Sequence, residues 1–242
     1  LYMSADTLLS AQDSSGLNYI NAVRRVLIYK SDLQGMCDSL YYTEKDSSFV
    51  MTGQPVVWSD TTQFSADTIR ILLRNDEVRE IIAISNSFII SKENEQLFNQ
   101  IKGKLIHAYL DSNRLKQMFV KGNAESLYFL KDDEDAYVGP SKTLCSEMIF
   151  NFDADELSTV RYLTDPESEI IPMSKAGPSE FKLQGFDWQI KYRPMNPMDV
   201  LLAKMLDVQT EPKATNDEFE KAVNQAVNKP ILPKGSKRPS RQ

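Results

Sequence analysis

FSADTIRILLRND, residues 64–76, contains a phrase the chain has already used once. Ser-Ala-Asp-Thr stands at Ser4–Thr7, in MSADTLLSAQD, and again at Ser65–Thr68. A catalytic motif is needed once, whereas a phrase used twice points to a building unit. With Asp6 and Asp67 as anchors, further copies follow: GMCDSLYYTEKD with Asp38 at the anchor, IKGKLIHAYLDSN with Lys104 and TLCSEMIFNFDAD with Ser146. Two and four residues past the anchors stand Leu8/Ser10, Leu40/Tyr42, Ile69/Ile71, Ile106/Ala108 and Met148/Phe150. Apart from Ser10 this column is apolar or aromatic. The positions between are mixed: Ser39/Tyr41, Thr68/Arg70, Leu105/His107 and Glu147/Ile149. Period two predicts strands with one buried face, because helical spacing would not keep such pairs on one side.

Each phrase runs into a polar turn: SAQDSSG, TEKDSS, RNDE, DSNR and DADE. Turns select these residues. A second strand family follows: RVLIYKSD, SFVMTGQP, EIIAISNS, QMFVKGNA and TVRYLTDP. Its members end in a small or polar pair, Ser31-Asp32, Gly53-Gln54, Ser85-Asn86, Gly122-Asn123 and Thr164-Asp165. Before each pair lies another column, Leu27/Tyr29, Phe49/Met51, Ile81/Ala83, Met118/Val120 and Val160/Tyr162. The pair permits a bend or bulge where the strand turns a corner. The unit is strand, tight turn, strand, corner, used about five times.

The chain has 242 residues, 41% of them hydrophobic, enough for one sizeable core or two small ones. Its formal charge of -6 disfavours nucleic acid, whose phosphates need a cationic face. No run of 18 apolar residues offers a spanning helix, and no signal peptide is visible. Leu1-Tyr2-Met3 reads like the inside of a strand, so the natural N-terminus is expected to have been removed.

Chemistry is sparse. His107, the single histidine, lies on the mixed face of LIHAYL and reads as a surface residue; no HxxxH or HxH spacing supports a metal site. The Asp132–Asp135 run reads as a solvated hairpin tip and lacks EF-hand spacing. Cys37 and Cys145 precede their anchors, where other units carry Ala5 and Ala66, and are expected as free thiols three strand steps apart. No catalytic residue, metal or cofactor is expected. An envelope-glycan enzyme would need two convergent carboxylates in a cleft.

After Pro172 the pattern changes. FKLQGFDWQIKYRP reads as one or two closing strands with Phe186 and Trp188 on one face. NPMDVLLAKMLDVQ reads as a short helix, with Leu201, Leu202 and Leu206 available to cover an open end. TNDEFEKAVNQAVN reads as a second helix, and KPILPKGSKRPSRQ as a flexible basic tail.

The units resemble those of the LptA/OstA family of periplasmic lipopolysaccharide-transport proteins, and most closely its OstA-like branch in Bacteroidota. The resemblance rests on the strand Ala66-Asp67-Thr68-Ile69-Arg70-Ile71, the corner Gly122-Asn123-Ala124 and the stretch from Gly122 to Met173, and it covers roughly Leu1 to Pro172. Lys104 and Ser146 depart from the anchor Asp. The resemblance implies an all-β fold, an open two-sheet β-jellyroll, V-shaped and built of stacked antiparallel strands. With the closing strands, short C-terminal helices and tail read from the residues, the expected organisation is a jellyroll over 1–194, a helical extension over 195–228 and a tail over 229–242. The resemblance implies a non-enzymatic bridge between inner and outer membrane in the periplasm, with acyl chains of lipopolysaccharide in the groove. Partners would be other transport components or the chain itself, joined through edge strands. The groove-lining residues would be Leu40, Tyr42, Phe49, Met51, Ile69, Ile71, Ile81, Ile106, Met118, Val120, Met148 and Phe150. The alternative is a closed β-sandwich or solenoid scaffold that binds envelope proteins through its edges.

Overall fold

The computed structural model describes residues 1–112, 114–153, 156–177 and 179–202. The fold is all-β, as the period-two columns require. Its fourteen strands are β1 (Tyr2–Ser4), β2 (Thr7–Gln12), β3 (Asn18–Lys30), β4 (Leu33–Thr43), β5 (Ser48–Thr52), β6 (Val56–Ser59) and β7 (Thr62–Ser65), then β8 (Thr68–Arg74), β9 (Glu77–Lys92), β10 (Phe98–Asp111), β11 (Arg114–Lys131), β12 (Tyr137–Asp153), β13 (Glu156–Leu163) and β14 (Glu167–Ile170). They form one sheet in which every pair is antiparallel.

Four of the breaks between strands fall at a corner rather than at a hairpin. β1 with β2, β5 with β6, β7 with β8, and β13 with β14 are each one pass of the chain, interrupted in the middle. The sheet is therefore a meander of ten passes, each hydrogen-bonded to the next. A line of corners crosses all ten and folds the meander into two walls. Wall I holds β2, the first half of β3, the second half of β4, β5, β8 and onward to β13. Wall II holds β1, the other halves, β6, β7 and β14.

The corner chemistry alternates from pass to pass. Even passes carry two consecutive left-handed residues: Arg24-Arg25, Gly53-Gln54, Ser85-Asn86, Gly122-Asn123 and Thr164-Asp165. Odd passes carry the anchor. The anchor amide donates to the first residue of the facing corner in Asp6 to Arg24 (2.9 Å), Asp38 to Gly53 (3.2 Å), Asp67 to Ser85 (2.9 Å) and Ser146 to Thr164 (3.4 Å). Two residues thus oppose one, a bulge that bends its pass and leaves the inward parity unchanged on both sides. Four of the five expected corners are in place. The first is corrected. Ser31-Asp32 is the two-residue hairpin joining β3 to β4, and the bend lies at Arg24-Arg25, where Arg25 donates to the Asp6 carboxylate. The shifted bend also moves Leu27 and Tyr29 off the inner column, and they pack on the outside of wall II.

The inner faces meet in one core. Wall I contributes Ala22, Leu40, Ile69, Ile81, Ile106 and Phe150; wall II contributes Val26, Ile28, Val57, Phe64, Ile89 and Ile101. The expected openness is absent from the middle of the sheet. There the pairs run β4, β5, β8, β9, β7, β6 and back to β4, a closed six-stranded ring packed with side chains. The fold departs from a uniformly open V because β5–β6 and β7–β8 break at the corner while β4 and β9 run through it.

The sheet ends at Ile170, short of the expected boundary at 194. The stretch after it corrects the reading of FKLQGFDWQIKYRP as closing strands. It is an irregular strap with one 3-10 turn, Ile190–Tyr192, lying across the outer face of wall II. Phe181 packs on Phe129, and Phe186 and Trp188 on Phe98, so the aromatic spacing that resembled a strand serves packing from outside. Helix α1 (Pro197–Leu201) is capped by the Asn196 side chain. It buries Val200 against Leu27, Met36, Val56 and Trp58, and leaves Leu201 and Leu202 exposed, which corrects the role given to those leucines. Leu206, the second predicted helix and the basic tail lie outside the described residues.

Candidate functional site: a cleft between the walls

The twelve residues predicted to line a groove all stand on the inner face of wall I. Leu40, Met51, Ile69, Ile71, Ile81, Ile106, Val120, Met148 and Phe150 are fully buried, Met118 and Phe49 nearly so, and Tyr42 packs at the core margin against Phe49. The two repeat columns therefore identify one wall of the core. The facing wall carries its own residues, Val26, Ile28, Phe64, Ile89 and Ile101 among them, and most of the space between is filled.

A cleft of about 150 Å³ remains at the mouth, on the side of the walls away from the corners. It lies between the tips of the hairpins. Phe64, Ile89 and Ile101 of wall II face Leu110, Leu115, Met118 and Phe152 of wall I. The rim is polar: Ser59, Asp60, Thr61 and Thr62 from the β6–β7 turn, with Ser91 and Asn99 beside them. Tyr128 also borders it, and burial pushes its phenol well above the ordinary tyrosine range. Of the twelve predicted residues only Met118 borders this cleft. Asp60 is the one charged side chain among the described lining residues. Such a volume suits a benzene-sized apolar guest. The terminal part of one acyl chain fits it, whereas several chains require the walls to part.

What the sequence reading missed is how the cleft is held from behind. Three glutamines on wall II point outward and are buried by the strap: Gln34, Gln63 and Gln100, at 3%, 0% and 0% exposure. Gln63 Nε2 donates to the Asp187 carbonyl (2.7 Å), and its Oε1 accepts from the Gln189 amide (2.8 Å) and from Trp58 Nε1 (3.2 Å). Gln100 repeats the pattern on the Phe181 carbonyl and the Leu183 amide, both at 2.8 Å. Each side-chain amide thus pairs with the strap backbone as a neighbouring strand would. Arg193 Nε donates to Gln34 Oε1 (2.7 Å), and its Nη1 to the Asp60 carbonyl (2.6 Å). The available signal was an amide at the outward position beside an inward apolar residue, Leu33, Phe64 or Ile101.

The other candidate residues resolve into structural roles. His107 does face away from the core, but it is 1% exposed, which corrects its reading as a surface residue. Its ring stacks on Tyr109, and its pass lies between those carrying Ile82 and Phe119. Nε2 meets Glu80 at 2.7 Å and Nδ1 meets the Tyr109 hydroxyl at 3.0 Å, so both ring nitrogens are occupied. The hydrogen bond from His107 holds the Glu80 carboxyl below its usual range, against the opposing effect of burial. Among the described residues no group of three His, Cys, Asp or Glu side chains is placed to hold a metal. Asp132 accepts from the amides of Glu134 and Ala136, closing the hairpin tip that the acidic run predicts. Cys37 and Cys145 are free and buried, as expected. They are further apart than three steps, since β6, β7, β9, β10 and β11 intervene in wall II.

No protein-family model and no curated protein matches the chain. Among solved structures, it is similar to the crystal structure of LptH, the LptA-homologous periplasmic component of the lipopolysaccharide transport device of Pseudomonas aeruginosa. That likeness covers 59% of this chain and 100% of LptH, at 12% sequence identity and a TM-score of 0.47.

Proposed function

We propose that this chain is a periplasmic carrier that takes acyl chains of lipopolysaccharide between its two walls and hands them on, as an OstA-like protein of a Bacteroidota envelope would. The observation that carries the reading is the cleft: a gap at the mouth of a corner-folded meander, polar at its rim, apolar within, and bordered by Met118 of the inner columns. The resemblance of the repeat to the LptA/OstA units supports it. Each acyl methylene withdrawn from water contributes about 0.8 kcal/mol, so five or six of them hold a chain end without an ionic contact. The reading involves no catalytic step and no cofactor. The terminal passes agree with a bridge: β2 pairs only with β3, and β13 and β14 only with β12, among the described residues. Their free sides carry unpaired backbone groups that another transport component or a second copy can extend.

A second reading, a closed scaffold that binds envelope proteins through these edges, is favoured by the dense packing of the ring. Photo-crosslinking separates the two. A photoreactive residue at Leu115 or Phe152, both in the cleft, captures lipid A, and one at Ile149 on the outer face does not. Capture from Ile149 with none from the cleft would refute the carrier reading and leave the scaffold.

A further inference from the structure

We infer that the C-terminal strap is a latch on the cleft, and that Arg193 and Gln63 set how readily the cleft's lip opens. The inference concerns regulation of the proposed acyl site and so rests on that reading.

The strands of wall II that line the cleft have two chemically distinct faces. On β7, Thr62 and Phe64 face the cleft, and Gln63 between them points out to the strap. On β10, Asn99 and Ile101 face the cleft, and Gln100 between them points out to the strap. The lip itself, the β6–β7 turn with Ser59, Asp60, Thr61 and Thr62, is tied down at Asp60 by Arg193. The same guanidinium reaches Gln34 on β4. Arg193 therefore pins a two-stranded hairpin to a strand that runs through the corner. An acyl chain too large for about 150 Å³ enters only if this hairpin swings outward. Swinging it parts the Arg193 bond to the Asp60 carbonyl and the Gln63 bonds to the Asp187 carbonyl and the Gln189 amide, because each joins the hairpin to the strap, along with outer ladder bonds of β6 to β4 and β7 to β9. The incoming chain restores the apolar packing that opening removes from the cleft. The hydrogen bonds to the strap have no such replacement, so together with the ladder bonds to β4 and β9 they set the opening equilibrium.

The test uses the full chain with Arg193→Ala, with Gln63→Met as a second variant and Ile82→Ala, on the outer face of wall I, as a destabilised control. Two readouts are taken: amide hydrogen exchange over residues 57–63, and the uptake rate of cis-parinaric acid. The latch predicts that Arg193→Ala and Gln63→Met raise exchange in the hairpin about tenfold, the population shift expected from losing a hydrogen bond to a charged or buried amide group. The control raises it no more than its loss of global stability dictates. Uptake rises in parallel in the two latch variants. If hairpin exchange in both variants follows global stability as the control does, the latch is wrong, whatever the probe does. If exchange rises as predicted but no form of the protein binds the probe, the latch stands as a mechanical coupling and the carrier reading falls.

Discussion

Gly53 and Gly122 occupy equivalent corners, and the corner geometry predicts that they tolerate alanine unequally. Both have φ in the left-handed region, +74° and +77°. An alanine there costs about 1–2 kcal/mol from that backbone alone, at either site. The surroundings then differ. A Cβ on Gly53 would lie 2.4 Å from the Cβ of Asp38, an atom fixed to the backbone of the next pass. Ordinary carbon contacts lie near 3.5–4.0 Å, so the passes must separate by more than ~1 Å, an overpacking cost of about 1–3 kcal/mol. A Cβ on Gly122 would meet Lys104 at 3.0 to 3.2 Å, its Cβ included, so the neighbour need give by only a few tenths of an ångström. Gly53→Ala is therefore expected to destabilise by about 2–5 kcal/mol and Gly122→Ala by about 1–2 kcal/mol. Urea denaturation reads this as the larger fall in midpoint for Gly53→Ala at unchanged slope. Arg24, Ser85 and Thr164 stand at the matching position of other corners, so the bulge itself accepts a side chain and the added cost at Gly53 is set by its contact with Asp38. The second mutation is accordingly decisive. In the Gly53→Ala background, Asp38→Gly recovers the overlap cost and Asp38→Ala does not. Equal costs at the two glycines, or rescue by Asp38→Ala, would refute the bulge argument.

Further outcomes follow from the strap, the core and the outer face. Gln100→Met leaves the Phe181 carbonyl and the Leu183 amide unpaired beneath the strap and is expected to lower stability by about 2–4 kcal/mol in urea titration. Neither thiol should react with a disulfide reagent in native protein, and both should react in denaturant, since burial raises the Cys37 and Cys145 thiols. Glu80 has its carboxyl lowered, chiefly by the His107 hydrogen bond. Its contribution is present above the ordinary carboxylate pKa and is lost as pH falls through the lowered one, so Glu80→Gln should flatten the acid limb of stability against pH. Binding of an acyl probe should change little between about 0.05 and 0.5 M salt, because no Lys or Arg among the described residues borders the cleft and charge screening has little to act on.

The meander was legible in the sequence because each unit states its parity twice, once after the anchor and once before the corner. Gly53, Asn86, Gly122 and Asn123 announce a left-handed bend, since glycine and, to a lesser degree, asparagine enter that region at low cost. Arg24-Arg25 announces nothing of the kind, since arginine has no such preference. Its bend is stabilised by Asp6 from the neighbouring pass, a contact that no local pattern reveals. The cleft was not legible either. Inward parity marks Leu110, Leu115 and Phe152 no differently from Ile71 or Phe150, and only the divergence of the hairpin tips separates lining from core. The strap was misread because Phe186 and Trp188 stand two apart, as strand residues do, while their partner ring, Phe98, lies on another pass.

On the proposed carrier function, two architectural facts together decide where a lipid would first make contact. At the corners the walls are held by main-chain bonds and two-residue bulges, and around the ring the inner side chains are wholly buried. Parting the walls there would expose many of these side chains at once, at about 25 cal/mol for each Å² of apolar surface. At the mouth the same walls end in hairpin tips, and a gap already exists between Phe64 and Phe152. On the carrier reading, entry therefore begins at the tips and advances toward the corners only as far as the ligand takes over the packing of the core side chains it displaces. A substitution that fills the gap, Leu115→Trp, is thus expected to abolish acyl-probe binding while leaving stability within about 1–3 kcal/mol, the range for overpacking. Filling the ring instead, with Ile71→Trp, should unfold the protein before it affects binding. Loss of binding in Ile71→Trp with the fold intact, and none in Leu115→Trp, would mean that lipid enters through the ring and that the mouth is only a packing defect.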